Sequence, residues 1–211
     1  MTQSLLQQLR EQTRPAHTAL EAQPMLTRLL SASLTEEEYC QLLQSMWAFY
    51  RSLEPELVPA TAALLRQHPN PEYRYLPRAP LLANDCRVMG CACPDLTYPS
   101  IEPRLDGGEA QLLGVLYVIE GSTQGGRFIS RHLANTLGIT GDTGASFFNI
   151  YQWDSSWAAF RRWLSTDMAI RYQDDYKSII EGADRTFSAL HAHLDRELTC
   201  VLQVSPEQPC R

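Results

Sequence analysis

Residues 109 to 137 carry apolar side chains at helical spacing from end to end, and a cluster of small residues, "GSTQGG" (Gly121 to Gly126), falls in the middle of that stretch. Two foldings compete for it: a strand running into a phosphate-cradling loop, or a helix softened by glycine. Gly121 and Gly126 have the spacing of a G-x-x-x-x-G-K-[ST] loop, but the next two residues are Arg127 and Phe128. The lysine and hydroxyl that would meet phosphate and magnesium are both missing.

The rest of the chain favours the helix. Leu6, Leu9, Thr13, Ala16, His17 and Leu20 recur every three or four residues, which places His17 on the apolar face of a first helix. Pro15 lies inside that pattern and predicts a kink, or a restart with proline in the first turn. Thr35 and Glu38 stand at capping-box spacing. From them a long helix is expected to carry Tyr39, Leu42, Leu43, Met46, Phe49, Tyr50, Leu53 and Leu57 inward, with Glu36 to Glu38 as a solvated first turn. "LLANDCRVMG" reads as a short helix closed by Gly90, and "HPNPEYRYLPRAP", "CPDLTYPSIEPRLDGG" and "GITGDTGASFF" as connectors. Two or three further helices fill the remainder. No repeat and no strand–helix alternation is visible, which counts against a nucleotide-binding α/β sheet. The expected fold is an all-α, single-domain bundle of about seven to nine helices, spanning residues 1–205 with a frayed tail at 206–211.

Composition narrows the functional classes. With 211 residues the chain is long enough to bury a full core, and a hydrophobic fraction of 44% fits a globular protein. A formal charge of −6 argues against nucleic-acid binding, which draws its affinity from lysine and arginine on phosphate. No export signal is read near the start, and the longest apolar run, Leu112 to Ile119, is too short to span a bilayer. A cytoplasmic protein without membrane contact is expected. Its six cysteines, Cys40, Cys86, Cys91, Cys93, Cys200 and Cys210, are then free thiols by default. "CRVMGCAC" has the look of a metal motif, but no second ligand pair follows it.

Three glycines inside a helix cost roughly 1 kcal/mol each relative to alanine, so something must offset them. Gly121 with Gly125, and Ser122 with Gly126, are four apart and bare one helical face. Close helix packing explains such a face, and so does a flat ligand lying against the backbone. The histidines bear on the choice. None has glutamate three residues before it, so a carboxylate di-iron bundle lacks its motif, and His191 and His193 diverge around a helix. A single imidazole facing a glycine-softened helix across a slot is how a bundle would hold a haem.

The motifs that carry this reading resemble those of a known family. "LREQTRPAHTALE" (Leu9 to Glu21) is similar to the haem-ligand helix of the haem oxygenase family, and "LYVIEGSTQGG" (Leu116 to Gly126) to its glycine-rich distal helix. "RAPLLANDCRVMG" and "GASFFNIYQWDSSWAAF" follow in the family's order, so the resemblance covers most of the chain. It is nearest the bacterial biliverdin-forming enzymes that accompany bacteriophytochromes. The resemblance implies a haem-oxygenase-like fold and oxidation of haem by dioxygen, with electrons from a ferredoxin or a reductase, to biliverdin, carbon monoxide and ferrous iron. It implies His17 as the iron ligand, with Glu21 holding its other ring nitrogen. Gly121, Ser122, Gly125 and Gly126 are the distal catalytic face. Arg10 and Arg161 (Arg162 in reserve) and Tyr117 meet the propionates, and Phe187 packs on the ring. Many family members have aspartate where this chain has Ser122, so proton delivery must be organised differently here. Two other readings use the same slot or fold: a haem-trafficking protein without turnover, and a thiamin-salvage hydrolase with Cys40 as nucleophile.

Overall fold

A computed structural model describes residues 3–93, 105–151 and 156–204, and among them there is no strand. The first expected helix is two. α1 (Leu5–Gln12) is capped by Ser4, whose hydroxyl accepts from the Gln7 amide while the Gln7 side chain accepts from the Ser4 amide. The chain breaks at Thr13 and restarts as α2 (Arg14–Glu21) with Pro15 in its first turn, where a missing N–H is harmless. Leu5, Leu9, Thr13 and Leu20 face the core, and Leu6 is half-buried. α3 (Pro24–Leu29) follows, capped by the buried Gln23 side chain.

α4 (Glu36–Gln67) opens with the expected Thr35–Glu38 capping box and buries all eight expected side chains. Glu38 is also bound by Arg28, which with the Thr35 amide holds its carboxyl below the usual range. The helix runs past Pro55 and Pro59, each of which leaves a carbonyl one turn back without its amide partner. α5 (Ala79–Val88) has no side-chain cap of its own. Glu54 of α4 supplies one: its carboxylate accepts from the backbone amides of Arg78 and Ala79 and from the Tyr75 hydroxyl. Gly90 closes α5 with φ +70, a left-handed turn that suits glycine.

α6 (Gly108–Thr136) is one continuous helix, so the glycine cluster is helical and the phosphate-loop reading fails. Its most extensive partner is α9 (Tyr176–Val204). The two meet backbone to backbone: a methyl on Gly114 would strike the Ile179 carbonyl and the Ala183 amide, and one on Gly182 the Gln111 carbonyl. Between them come turns over residues 138–150, then α7 (Ser156–Trp163), a π-helical turn (Leu164–Met168) and the short α8 (Ala169–Arg171). The turns are pinned from below. Tyr39 donates to the Gly144 carbonyl at 2.7 Å, and buried Asp85 accepts from the Ser146 amide and hydroxyl and the Phe147 amide at 2.7–2.9 Å.

No helix among the described residues is long and apolar enough to cross a membrane. The expected tail at 206–211 and most of the "CPDLTYPSIEPRLDGG" connector lie outside the described residues.

Candidate functional site

α2 and the second half of α6 form the walls of a cleft of about 450 Å³, with α4, α9 and the pinned turns completing it. That size lies within the range of small-molecule and cofactor sites. Leu42 and Met46 come from α4, Phe147 and Phe148 from the turns, and Phe187 and Leu190 from α9. The lining is largely apolar because each helix presents its inward stripe here.

His17 opens onto this cleft. The spacing placed it on an apolar face, but its side chain is 51% exposed, since α2 ends beside the cleft rather than under another helix. Its Nδ1 lies 3.3 Å from Glu21 Oε2, one turn on. In the neutral imidazole, Nδ1–H donating to that carboxylate leaves the Nε2 lone pair for a metal. Phe187, buried, stands edge-on to the imidazole with ring centroids 5.3 Å apart at 76°. The aromatic expected against the ligand plane thus also braces the histidine.

The glycines of the opposite wall divide. A methyl on Gly125 would find only the tip of Ile129 at 3.9 Å, and one on Gly121 only the Trp157 ring at 3.5 Å. Neither is excluded by packing, so their bareness leaves room in the cleft. Gly126 differs: a methyl there would strike the Phe148 carbonyl, and this glycine is required by packing. The Ser122 hydroxyl donates to the Ile119 carbonyl at 2.8 Å, with the Tyr50 phenol in its neighbourhood.

Behind this wall is a buried polar network. Arg78, 1% exposed, lines the cleft and donates to Glu120 at 2.7 Å, while Tyr73 donates to the other carboxylate oxygen at 2.9 Å. Tyr75 and Tyr151 lie against the guanidinium, at 4.4 and 5.4 Å from its carbon to their ring centroids. Tyr151 adopts φ 60, a left-handed conformation costing on the order of 1–3 kcal/mol for a residue with a side chain. Its hydroxyl bonds to the Leu76 amide and Arg74 carbonyl hold it there. Burial pushes the Glu120 carboxyl up, opposed by Arg78 and Tyr73, and Glu120 in turn keeps Arg78 charged. Burial likewise pushes the Tyr50 phenol up to about 12 against the pull of Arg78, so it is a protonated hydroxyl at neutral pH.

Sequence reasoning missed this network. The signal was present in "LYVIEG": a lone acid at a buried helical position needs a cation, and only the fold brings Arg78 to it from 42 residues away. Tyr117 lines the cleft, half-buried, and burial raises its phenol while the nearby Arg10 charge lowers it. Arg10 and Arg161 themselves are exposed and do not line the cleft. The reserve candidate Arg162 is paired with Glu72, another exposed side chain. Cys40 does not line the cleft either, and its free thiol neighbours Cys91 on the other side of α4. No cysteine among the described residues lines the cleft, which leaves the thiamin-salvage reading without its nucleophile Cys40 there. His191 pairs with Asp195, and His193 is buried against the Ser45 carbonyl, so these two diverge as expected.

The "Heme oxygenase" family model matches residues 3–85, a stretch that includes His17 and ends before the glycine helix. No curated protein matches the chain. Among solved structures, heme oxygenase from Leptospira interrogans superposes with a TM-score of 0.71 at 22% identity, covering 92% of this chain and 100% of that one. The NO- and CO-bound heme oxygenase from Neisseria meningitidis gives 0.71 at 21% identity, covering 99% and 98%. Heme oxygenase-1 from the cyanobacterium Synechocystis sp. PCC6803, in complex with heme, gives 0.63 at 18%, covering 95% of each chain. The helices, their order and the cleft between α2 and α6 therefore form a haem-oxygenase-like fold.

Proposed function

We propose that this protein is a haem oxygenase, cleaving haem oxidatively with dioxygen and electrons to biliverdin, carbon monoxide and ferrous iron. One observation carries the reading: His17, with Nδ1 3.3 Å from Glu21 Oε2, shares an apolar cleft with two glycines, Gly121 and Gly125, that packing does not require. That donor set fits haem, which needs one imidazole nitrogen and a flat, open face. When bound, haem supplies both the redox iron and the carbon skeleton that is oxidised.

The chain's own groups take four tasks. His17 Nε2 is the ligand, Glu21 fixes its tautomer, and Phe187 fixes its ring plane. Gly121 and Gly125 would leave room for a flat ring beside α6, while Leu42, Met46, Phe147 and Phe148 would exclude water. Ser122 Oγ would carry a proton at the glycine face, with the Tyr50 phenol, protonated at neutral pH, behind it where the family's aspartate is absent. Tyr117 at the cleft, with the Arg10 charge near it, would meet the propionates, and Arg161, outside the lining, would have to reach in from the surface.

In this reading a ferredoxin or a reductase supplies electrons in the cytoplasm. The biliverdin serves a bacteriophytochrome as chromophore, or the reaction releases iron. The test is to add haemin to the purified protein, then ascorbate or reduced ferredoxin, and follow the spectrum. A Soret band that gives way to biliverdin absorption is expected, and His17→Ala should lose the band while keeping its helical circular dichroism. Haem that binds and survives reduction would make this a haem-binding protein without turnover.

A further inference from the structure

Four thiols gather on the side of α4 away from the cleft. The C-terminal cap of α5 brings two of them together: the Gly90 amide bonds to the Arg87 carbonyl at 3.3 Å and the Cys91 amide to the Cys86 carbonyl at 2.9 Å. This paired closure around a left-handed glycine sets the side chains of Cys86 and Cys91 against each other. Their contact is usually made by ordinary apolar groups, so packing alone would account for these two residues. It does not account for the other two. Cys91 also neighbours the Cys40 thiol of α4, and Cys93 neighbours Cys86, close enough for the thiols to interact. The loop is held onto α4 by Gln44, whose side chain donates to the Ala92 carbonyl at 2.7 Å. None of the four lines the cleft. Among the described residues no set of three or more histidine, cysteine or acidic groups is placed to hold a metal ion.

We propose that Cys91 is the centre of a dithiol–disulfide site, closing a disulfide with Cys86 or Cys40 when the protein meets a peroxide. Cys91 is half-buried and reachable, whereas Cys86 is wholly buried. In the first step the Cys91 sulfur attacks hydrogen peroxide, giving a sulfenic acid and one water. In the second, the neighbouring thiol sulfur displaces the sulfenic hydroxyl. The S–S bond forms and the thiol hydrogen leaves with the hydroxyl as a second water. Two thiols are oxidised by two electrons in all, and one peroxide is reduced. Burial and the adjoining thiols push Cys86 up and Cys40 up to about 12, so both rest as neutral thiols, and each must give its proton to the departing hydroxyl as it attacks, which makes the second step the slower one.

The full chain, reduced and freed of reductant, should be treated with hydrogen peroxide, alkylated and peptide-mapped. The expected product joins Cys91 to Cys86 or to Cys40, with two fewer alkylatable thiols and full recovery on adding dithiothreitol. Cys91→Ser and Cys91→Ala should each cut peroxide-dependent thiol loss within residues 40–93 at least tenfold, while Cys93→Ser should still form the bond. Oxidation of Cys91 to sulfinic acid without a disulfide, a bond confined to Cys86 and Cys93, or thiols that all remain alkylatable would each overturn the proposal.

Discussion

At Gly114 the backbone of α6 lies so close to α9 that a methyl would run into the Ile179 carbonyl, whereas two and three turns on, at Gly121 and Gly125, the nearest atoms are side-chain tips at 3.5 and 3.9 Å. The same residue, in the same helix, is required for opposite reasons. In the first half glycine removes a side chain so that another helix can approach. In the second half no neighbour fills the space, and the helix forfeits about 1 kcal/mol per glycine relative to alanine without a packing return. Gly126 belongs with the first kind although it sits among the second. The difference teaches that a small-residue pattern locates a close approach without saying what approaches.

Substitution separates the two kinds. Gly114→Ala carries the largest expected effect on stability: neither α6 nor α9 has a flexible side chain to move aside, and overpacking should destabilise by about 3 kcal/mol. Thermal unfolding followed by circular dichroism should show a midpoint lower by roughly 6–12 °C for a chain of this size. An unchanged midpoint would mean that the helices slide apart freely, and the contrast would collapse. Gly126→Ala should destabilise less, by about 2 kcal/mol, because the Phe148 carbonyl belongs to a turn that can shift. Gly125→Leu should reverse the sign and raise stability by up to about 1 kcal/mol, while biliverdin formation from added haem stops. A leucine variant that still forms biliverdin would put the ligand elsewhere.

The smallest expected effect concerns orientation within the open half. Replacing Arg10 and Arg161 together by alanine should leave the unfolding midpoint unchanged, since both are exposed. If they hold the propionates, a loss of about 1.4 kcal/mol in orientation preference changes the ratio of ring orientations tenfold. Chromatography should then show a mixture of biliverdin isomers where the parent is expected to give a single one. A single unchanged isomer would assign the propionates to other residues.

How far this could be read in advance depended on sequence separation. The Thr35–Glu38 box, the eight inward residues of α4 and the limits of α6 are written in spacings of three and four, and these were legible. The placement of His17 at the cleft was legible as a position, although its exposure was not, because the spacing does not say where the covering helix stops. Gly114 and Gly182 carried no local signal, since each is explained only by the other's helix. The same holds for Arg78 with Glu120, and for Cys40, which joins the cysteine cluster only because α5 packs along α4.

The shared cap at the start of α5 has a consequence in time. A helix of ten residues is marginal in isolation, and this one lacks a capping side chain of its own. Its first amides are satisfied by Glu54, 24 positions earlier in α4. α5 should therefore form late, only once α4 presents that carboxylate, and the turns that hang from Asp85 later still. In kinetic experiments, conservative substitutions in the first turn of α5 should speed unfolding and leave the folding rate nearly unchanged, while those at Leu42 or Leu43 should slow folding. Equal slowing from both would show that the two helices assemble together. On the expected order, the turns that complete the cleft form after the helices they close over.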